Sequence, residues 1–142
     1  MKLINSESLE IKKSKFISYR YEIEDTSEVK KILNDLKKEH KKARHIAYAY
    51  KLGNTGSKSD DKEPSGSAGL PLFNILDKNN LDNTLLVVVR YFGGTKLGFG
   101  PLSSAYGAAG LKTIKKWSSD HLFYFVKVFK SYFSFNLFPR TE

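Results

Sequence analysis

LLVVVRYFGGTKLGFGPLSSAY, residues 85–106, decides the fold. Leu85 to Val89 are apolar at every position and rich in β-branched valine, which predicts a short strand buried on both faces and therefore central in its sheet. Arg90, Tyr91 and Phe92 carry the chain out of the core, and Gly93-Gly94 ends the strand. Gly98 and Gly100 flank Phe99, and Pro101 fits the first turn of a helix, where its missing N–H has no partner to lose. Leu102, Ala105, Tyr106 and Ala109 then hold an i, i+3, i+4, i+7 spacing on one helical face. The stretch reads strand, glycine-rich loop, helix.

The same rules apply upstream. Residues 1–14 are polar and read as a loose lead-in, and Lys15–Glu24 alternates as a half-exposed strand around Phe16, Tyr19 or Tyr21, and Ile23. Asp25 or Thr26 offers an N-cap, and Glu28 completes a capping box with Asp25. Val29, Ile32, Leu33 and Leu36 continue at helical spacing to about residues 39–42. The opposite face of that helix carries a basic stripe of Lys30, Lys37, Lys38, Lys41 and Lys42. Such a stripe either contacts phosphates or is simply a solvated helix face. Arg44–Leu52 alternates cleanly, with Ile46, Tyr48 and Tyr50 on one side and His45, Ala47 and Ala49 on the other. Gly53–Ser67 reads as a long polar loop. Ala68–Leu76 reads as a short helix with Pro71 in its first turn. The last helix is expected over Pro101–Trp117, and the aromatic-dense segment 120–142 follows it.

Composition narrows the function. The chain has 142 residues, enough for one domain with a sizeable core, and no cysteine, which removes disulfides, cysteine-ligated zinc and a cysteine nucleophile. No signal peptide and no apolar run of membrane-spanning length is seen, so a cytoplasmic location is expected, with no membrane partner. A net charge of +9 points to a polyanionic partner such as RNA, the ribosome or an acidic protein surface. A lysine-rich chain also follows from an AT-rich genome.

Three constellations could carry chemistry. Asp60, Asp61 and Glu63 place three carboxylates within four residues, the donor type a Mg²⁺ site uses, but their spacing matches no metal-loop pattern. His45 lacks a sequence partner, and Gly66-Ser67-Ala68-Gly69 lacks the G-x-S-x-G spacing of a nucleophile elbow. The 93–100 loop matches neither the P-loop nor the dinucleotide fingerprint, because Lys96 precedes Gly98 and no third glycine follows Gly100. A generic anion site at a helix start and a tight strand-to-helix reversal both fit it.

KKSKFIS (12–18), ARHIAYAY (43–50), SDDKEPSGSAGLP (59–71) and VVVRYFGGTKLGFGPLSSAY (87–106) together resemble the YigZ-like and IMPACT N-terminal domain family, from about Lys12 to Trp117. The resemblance implies an α+β two-layer sandwich of the ribosomal protein S5 domain 2-like type, a mixed sheet with helices on one face. It implies a domain over residues 1–119, with 120–142 as the remnant of a C-terminal ferredoxin-like domain. It also implies that the acidic loop and the RYFGG–KLG loop lie together as the functional surface. Carried onto this chain, that surface comprises His45, Asp60, Asp61, Lys62, Glu63, Ser65, Gly66, Arg90, Tyr91, Gly93, Gly94, Lys96 and Gly98. Lys62 stands where the family pattern DDGEP has glycine, and Pro101 and Ser104 stand where GGLxRAY has glycine and arginine. The function implied is a non-enzymatic translation-associated regulator or binding module, contacting RNA, the ribosome or a translation-regulatory protein. No catalytic residue, metal or cofactor is expected under that reading. The alternative is a phosphate-handling or hydrolytic enzyme that uses the acidic and glycine-rich loops.

Overall fold

The computed structural model describes residues 1–114. Its axis is the strand expected from the sequence. Thr84–Tyr91 (β5) is buried at every residue except Tyr91 and lies in the middle of a five-stranded sheet. Leu85 to Val89 are all fully buried, and each such side chain contributes about 1.5–3 kcal/mol relative to exposure.

On one side β5 pairs with Ser14–Glu22 (β2), which pairs with Lys2–Ile11 (β1). On the other it pairs with His45–Leu52 (β3), which pairs with Thr55–Ser59 (β4). Every pairing is antiparallel, so the sheet is not mixed as the resemblance implied. Three helices complete the α+β domain: Thr26–Glu39 (α1), Gly69–Lys78 (α2) and Phe99–Lys112 (α3).

The helices do not share a face. Val29, Ile32 and Leu36 of α1 pack with Ile46, Leu85, Val87 and Val89 on one side of the sheet. Leu72, Leu76, Leu102 and Tyr106 of α2 and α3 pack with Ala47, Ala49, Leu86 and Val88 on the other. Alternation along β5 fills both clusters. The physical reason for the three-layer arrangement is thus the one its sequence declares: a strand apolar on both faces needs cover on both.

Asp25 caps α1 through a complete capping box with Glu28, as expected. Two segments differ from the sequence reading. The polar lead-in is strand β1, and the polar loop contains strand β4. Both are edge strands held chiefly by backbone pairing: β4 has no apolar residue, and β1 gives the core only Ile11 and part of Leu9. The aromatic segment 120–142 and the end of the last predicted helix lie outside the described residues. No helix among the described residues is long and apolar enough to cross a membrane.

Candidate functional site

The site forms at the end of the sheet where β5 finishes and β2 and β3 begin. A two-residue turn, Lys12-Lys13, joins β1 to β2 with both φ values positive (48° and 67°), the geometry whose twist matches a hairpin. It delivers Ser14 beneath the glycine loop. The approach is close: a Cβ on Gly93 would lie 2.1 Å from the Lys13 carbonyl carbon, so only glycine fits there.

Glu63 is the hub. Arg90 Nη1 donates to both of its carboxylate oxygens, at 3.0 and 2.8 Å, and the Tyr106 hydroxyl donates to Oε2. Glu63, Arg90 and Tyr106 are buried, and Arg90 Nη2 also reaches Ser14 Oγ at 3.3 Å. The same Ser14 oxygen accepts the Gly93 N–H at 3.2 Å. Burial, reinforced by the Glu63 charge, pushes the Tyr106 phenol up, so it stays a neutral donor. Arg90 also lies against aromatic faces, 5.6 Å from the Phe16 ring centre and 5.8 Å from that of Phe92. Its Nε has no hydrogen-bond partner among the described residues.

The two aspartates secure the acidic loop. Asp60 accepts the backbone N–H groups of Gly66 (2.9 Å), Ala68 (3.1 Å) and Gly69 (2.8 Å), which caps the start of α2. Burial alone would raise the Asp60 pKa, but these three donors outweigh it and hold the group below the usual carboxylate range. Asp61 accepts the Ile46 N–H at 2.6 Å, and its carbonyl accepts from His45 Nδ1 at 2.7 Å. A carbonyl oxygen only accepts, so that His45 nitrogen carries its proton. The other, Nε2, stands 3.4 Å from Glu63 Oε1. Between Asp60 and Glu63 the chain turns through Asp61 (φ 44°) and Lys62 (φ 70°), closed by a 2.9 Å bond from the Glu63 N–H to the Asp60 carbonyl. Left-handed backbone at Lys62 is the reason glycine suits this position in the family pattern.

The acidic and glycine-rich loops therefore meet, through Glu63 with Arg90 and through Gly66, whose added Cβ would lie 3.9 Å from the Phe99 ring. His45, Asp60, Asp61, Glu63, Gly66, Arg90 and Gly93 belong to this contact. Lys62, Ser65, Gly94, Lys96 and Gly98 sit on the exposed rim. Tyr91 points to the opposite face of the sheet, where its hydroxyl lies 2.6 Å from His40 Nδ1. His40 Nε2 lies 2.7 Å from the hydroxyl of Tyr19, whose pKa is pushed up to about 12 by burial and then by Glu39. This bond ties the C-terminal end of α1, with Lys37, Lys38, Lys41 and Lys42, to the loop end of the sheet. Lys30 lies nearer the other end, and all five lysines are exposed.

Sequence reasoning missed Ser14, Phe16 and Tyr106. Tyr106 falls on the apolar face of its helix and reads as core, and although Ser14 and Phe16 lie in the KKSKFIS segment that carries the resemblance, nothing in its local pattern ties them to a site. Phe92 and Phe99 were also passed over, although two phenylalanines beside glycines in a polar loop are a usable signal.

An α+β domain with two loops locked together at one sheet end is a scaffold that presents a fixed surface. The chain belongs to the Impact N-terminal domain family, whose model matches residues 12–114. An IMPACT family member from Haemophilus influenzae is 36% identical over 116 residues, covering 78% of this chain and 56% of that protein. The chain spans about half the length of that relative, and the aligned parts of the other curated relatives are smaller fractions of theirs. A crystal structure described as a hypothetical protein matches at 32% identity with a TM-score of 0.77, covering 82% of this chain and 59% of the other. A structure titled as the two-domain translational regulator Yih1 matches at 21% identity and a TM-score of 0.51, covering 78% and 46%. The latter likeness shows the fold alone; both agree with the S5 domain 2-like type.

Proposed function

We propose that this chain is a non-enzymatic binding module in translational regulation, that residues 1–119 form the binding domain, and that the two-loop end of the sheet is its docking face. The observation that carries the reading is the use of the three loop carboxylates. Asp60 is committed to three backbone donors, Asp61 to one, and Glu63 to Arg90 and Tyr106. Metal ligation or proton transfer would have to take these groups from their internal partners. As they stand, they fix the rim that carries Lys62, Ser65 and Lys96. Membership of the Impact N-terminal domain family, and the likeness of this chain's fold to that of a protein titled a translational regulator, support the setting.

The test is affinity capture from lysate, with and without nuclease, using the full chain and a Lys62→Glu/Lys96→Glu variant. Ribosomal or translation-regulatory components, identified by mass spectrometry, should be retained by the wild-type chain and depleted by the variant. Equal recovery on both, or a nucleotide-induced thermal shift that requires a divalent cation, would overturn the reading in favour of an enzyme.

A further inference from the structure

We propose that the docking face is a site for single-stranded RNA, held through its phosphates and by bases stacked on Phe92 and Phe99. The proposal rests on the binding-module reading and specifies its ligand.

The fold gathers cations at this end from segments far apart in sequence. Lys13 lies against Gly93, and Lys15 is paired across the sheet with Tyr91. The Arg44 N–H donates to the Arg90 carbonyl at 2.8 Å, which brings Lys41 and Lys42 to the same corner, and Lys96 follows in the glycine loop. All six side chains are exposed, and none is ion-paired among the described residues. The nearby carboxylates of Asp60, Asp61 and Glu63 are turned toward internal donors. The other end of the sheet is mixed in charge: Glu22, Glu24, Asp25, Glu28 and Asp82 lie there together with Lys2, Lys30, Lys51 and the N-terminal ammonium, which is paired with Glu28. The loop end thus carries an excess of unpaired cations, to which a polyanion is drawn.

Two aromatic rings are exposed at this end, Phe92 beside the Arg44 guanidinium and Phe99 beside Gly66. Phe92 is 37% exposed and Phe99 56%, although large aromatic side chains are usually buried. The Arg44 guanidinium lies 4.7 Å from the Phe92 ring centre, a cation–π pair. Exposed rings and stacked guanidinium planes receive unstacked bases, whereas a duplex keeps its base faces hidden. This combination selects a single strand.

The experiment is fluorescence anisotropy with a labelled mixed-sequence 12-nucleotide RNA and the same sequence annealed to its complement, on the full chain. Contact with three or four phosphates predicts a log–log salt slope of about −2 to −3, and so roughly a 15- to 60-fold loss of affinity between 50 and 200 mM salt. Phe92→Leu/Phe99→Leu keeps apolar bulk and should weaken single-strand binding about fivefold or more. Lys41→Glu/Lys42→Glu should make the slope shallower by about one. Thermal melts of each variant confirm that the fold is intact. The proposal is overturned by no binding at 50 mM salt, by equal affinity for duplex, or by wild-type affinity in the folded leucine variant. Nuclease-resistant capture of a translation protein without oligonucleotide binding would also overturn it, while leaving the binding-module reading in place.

Discussion

Removing the Glu63 carboxylate should be among the most damaging single changes in this domain. Arg90 is 5% exposed, and two of its hydrogen bonds go to Glu63. In Glu63→Leu the guanidinium keeps only the 3.3 Å hydrogen bond to Ser14 beside its two aromatic contacts, and Tyr106 loses its acceptor. An orphaned buried charge costs about 3–5 kcal/mol. An unsatisfied buried hydroxyl adds about 1–3 kcal/mol, less than additively because the two share one partner. The expected loss is therefore about 4–6 kcal/mol, or roughly 15–25 °C in melting temperature for a chain of this size. Glu63→Gln retains one acceptor and should lose about half as much. The decisive measurement is a double-mutant cycle followed by circular dichroism. Arg90→Met in the Glu63→Leu background should recover most of the loss, because an apolar pair of similar volume replaces a buried ion pair with little penalty. A coupling energy below about 1 kcal/mol, with the two single losses simply adding, would show that the network is not the hub described above.

Two further outcomes follow from the acidic loop. Lys62 holds φ at 70°, a conformation that costs a non-glycine residue about 1–2 kcal/mol. Glycine's greater chain entropy offsets part of that cost, so Lys62→Gly should be neutral to about 1 kcal/mol stabilising in urea unfolding, and Lys62→Val should be clearly destabilising. Asp60 titrates below an exposed aspartate, so its contribution is complete above about pH 4 and is lost as pH falls through its folded-state value. Urea midpoints measured from pH 7 down to pH 2 should therefore fall less steeply at the acid end for Asp60→Asn than for the wild type, and parallel curves would refute that role.

What could be read from the sequence was local. The all-apolar run at 85–89, the Asp25–Glu28 capping box and the alternation of 44–52 each declare themselves within one element, and each element forms. The run even implied cover on both faces, which the one-faced layout taken from the resemblance contradicted, and the run was the better guide. Strands β1 and β4 were illegible because an edge strand is held by its neighbour's backbone: TGSKS carries no apolar residue at all. The candidate site was legible as two loops but not as a network. Glu63 and Arg90 are 27 residues apart, Ser14 and Arg90 are 76 apart, and no local periodicity links residues that meet only when the sheet closes.

The position of β5 also bears on how the chain acquires its fold. Hairpins β1–β2 and β3–β4 are local, and each can pair while the chain is still emerging. They share no border, since β5 lies between them. Until residue 91 is available, two exposed ribbons must wait for the strand that joins them. Phe16 waits longer, for Tyr106, whose ring meets it edge-on at 5.3 Å. Assembly is thus weighted toward the end of the domain and dominated by distant contacts, which slows folding. A fragment ending before β5 holds all of α1 and two hairpins yet has no sheet to bury them in, a species prone to associate through its open strand edges.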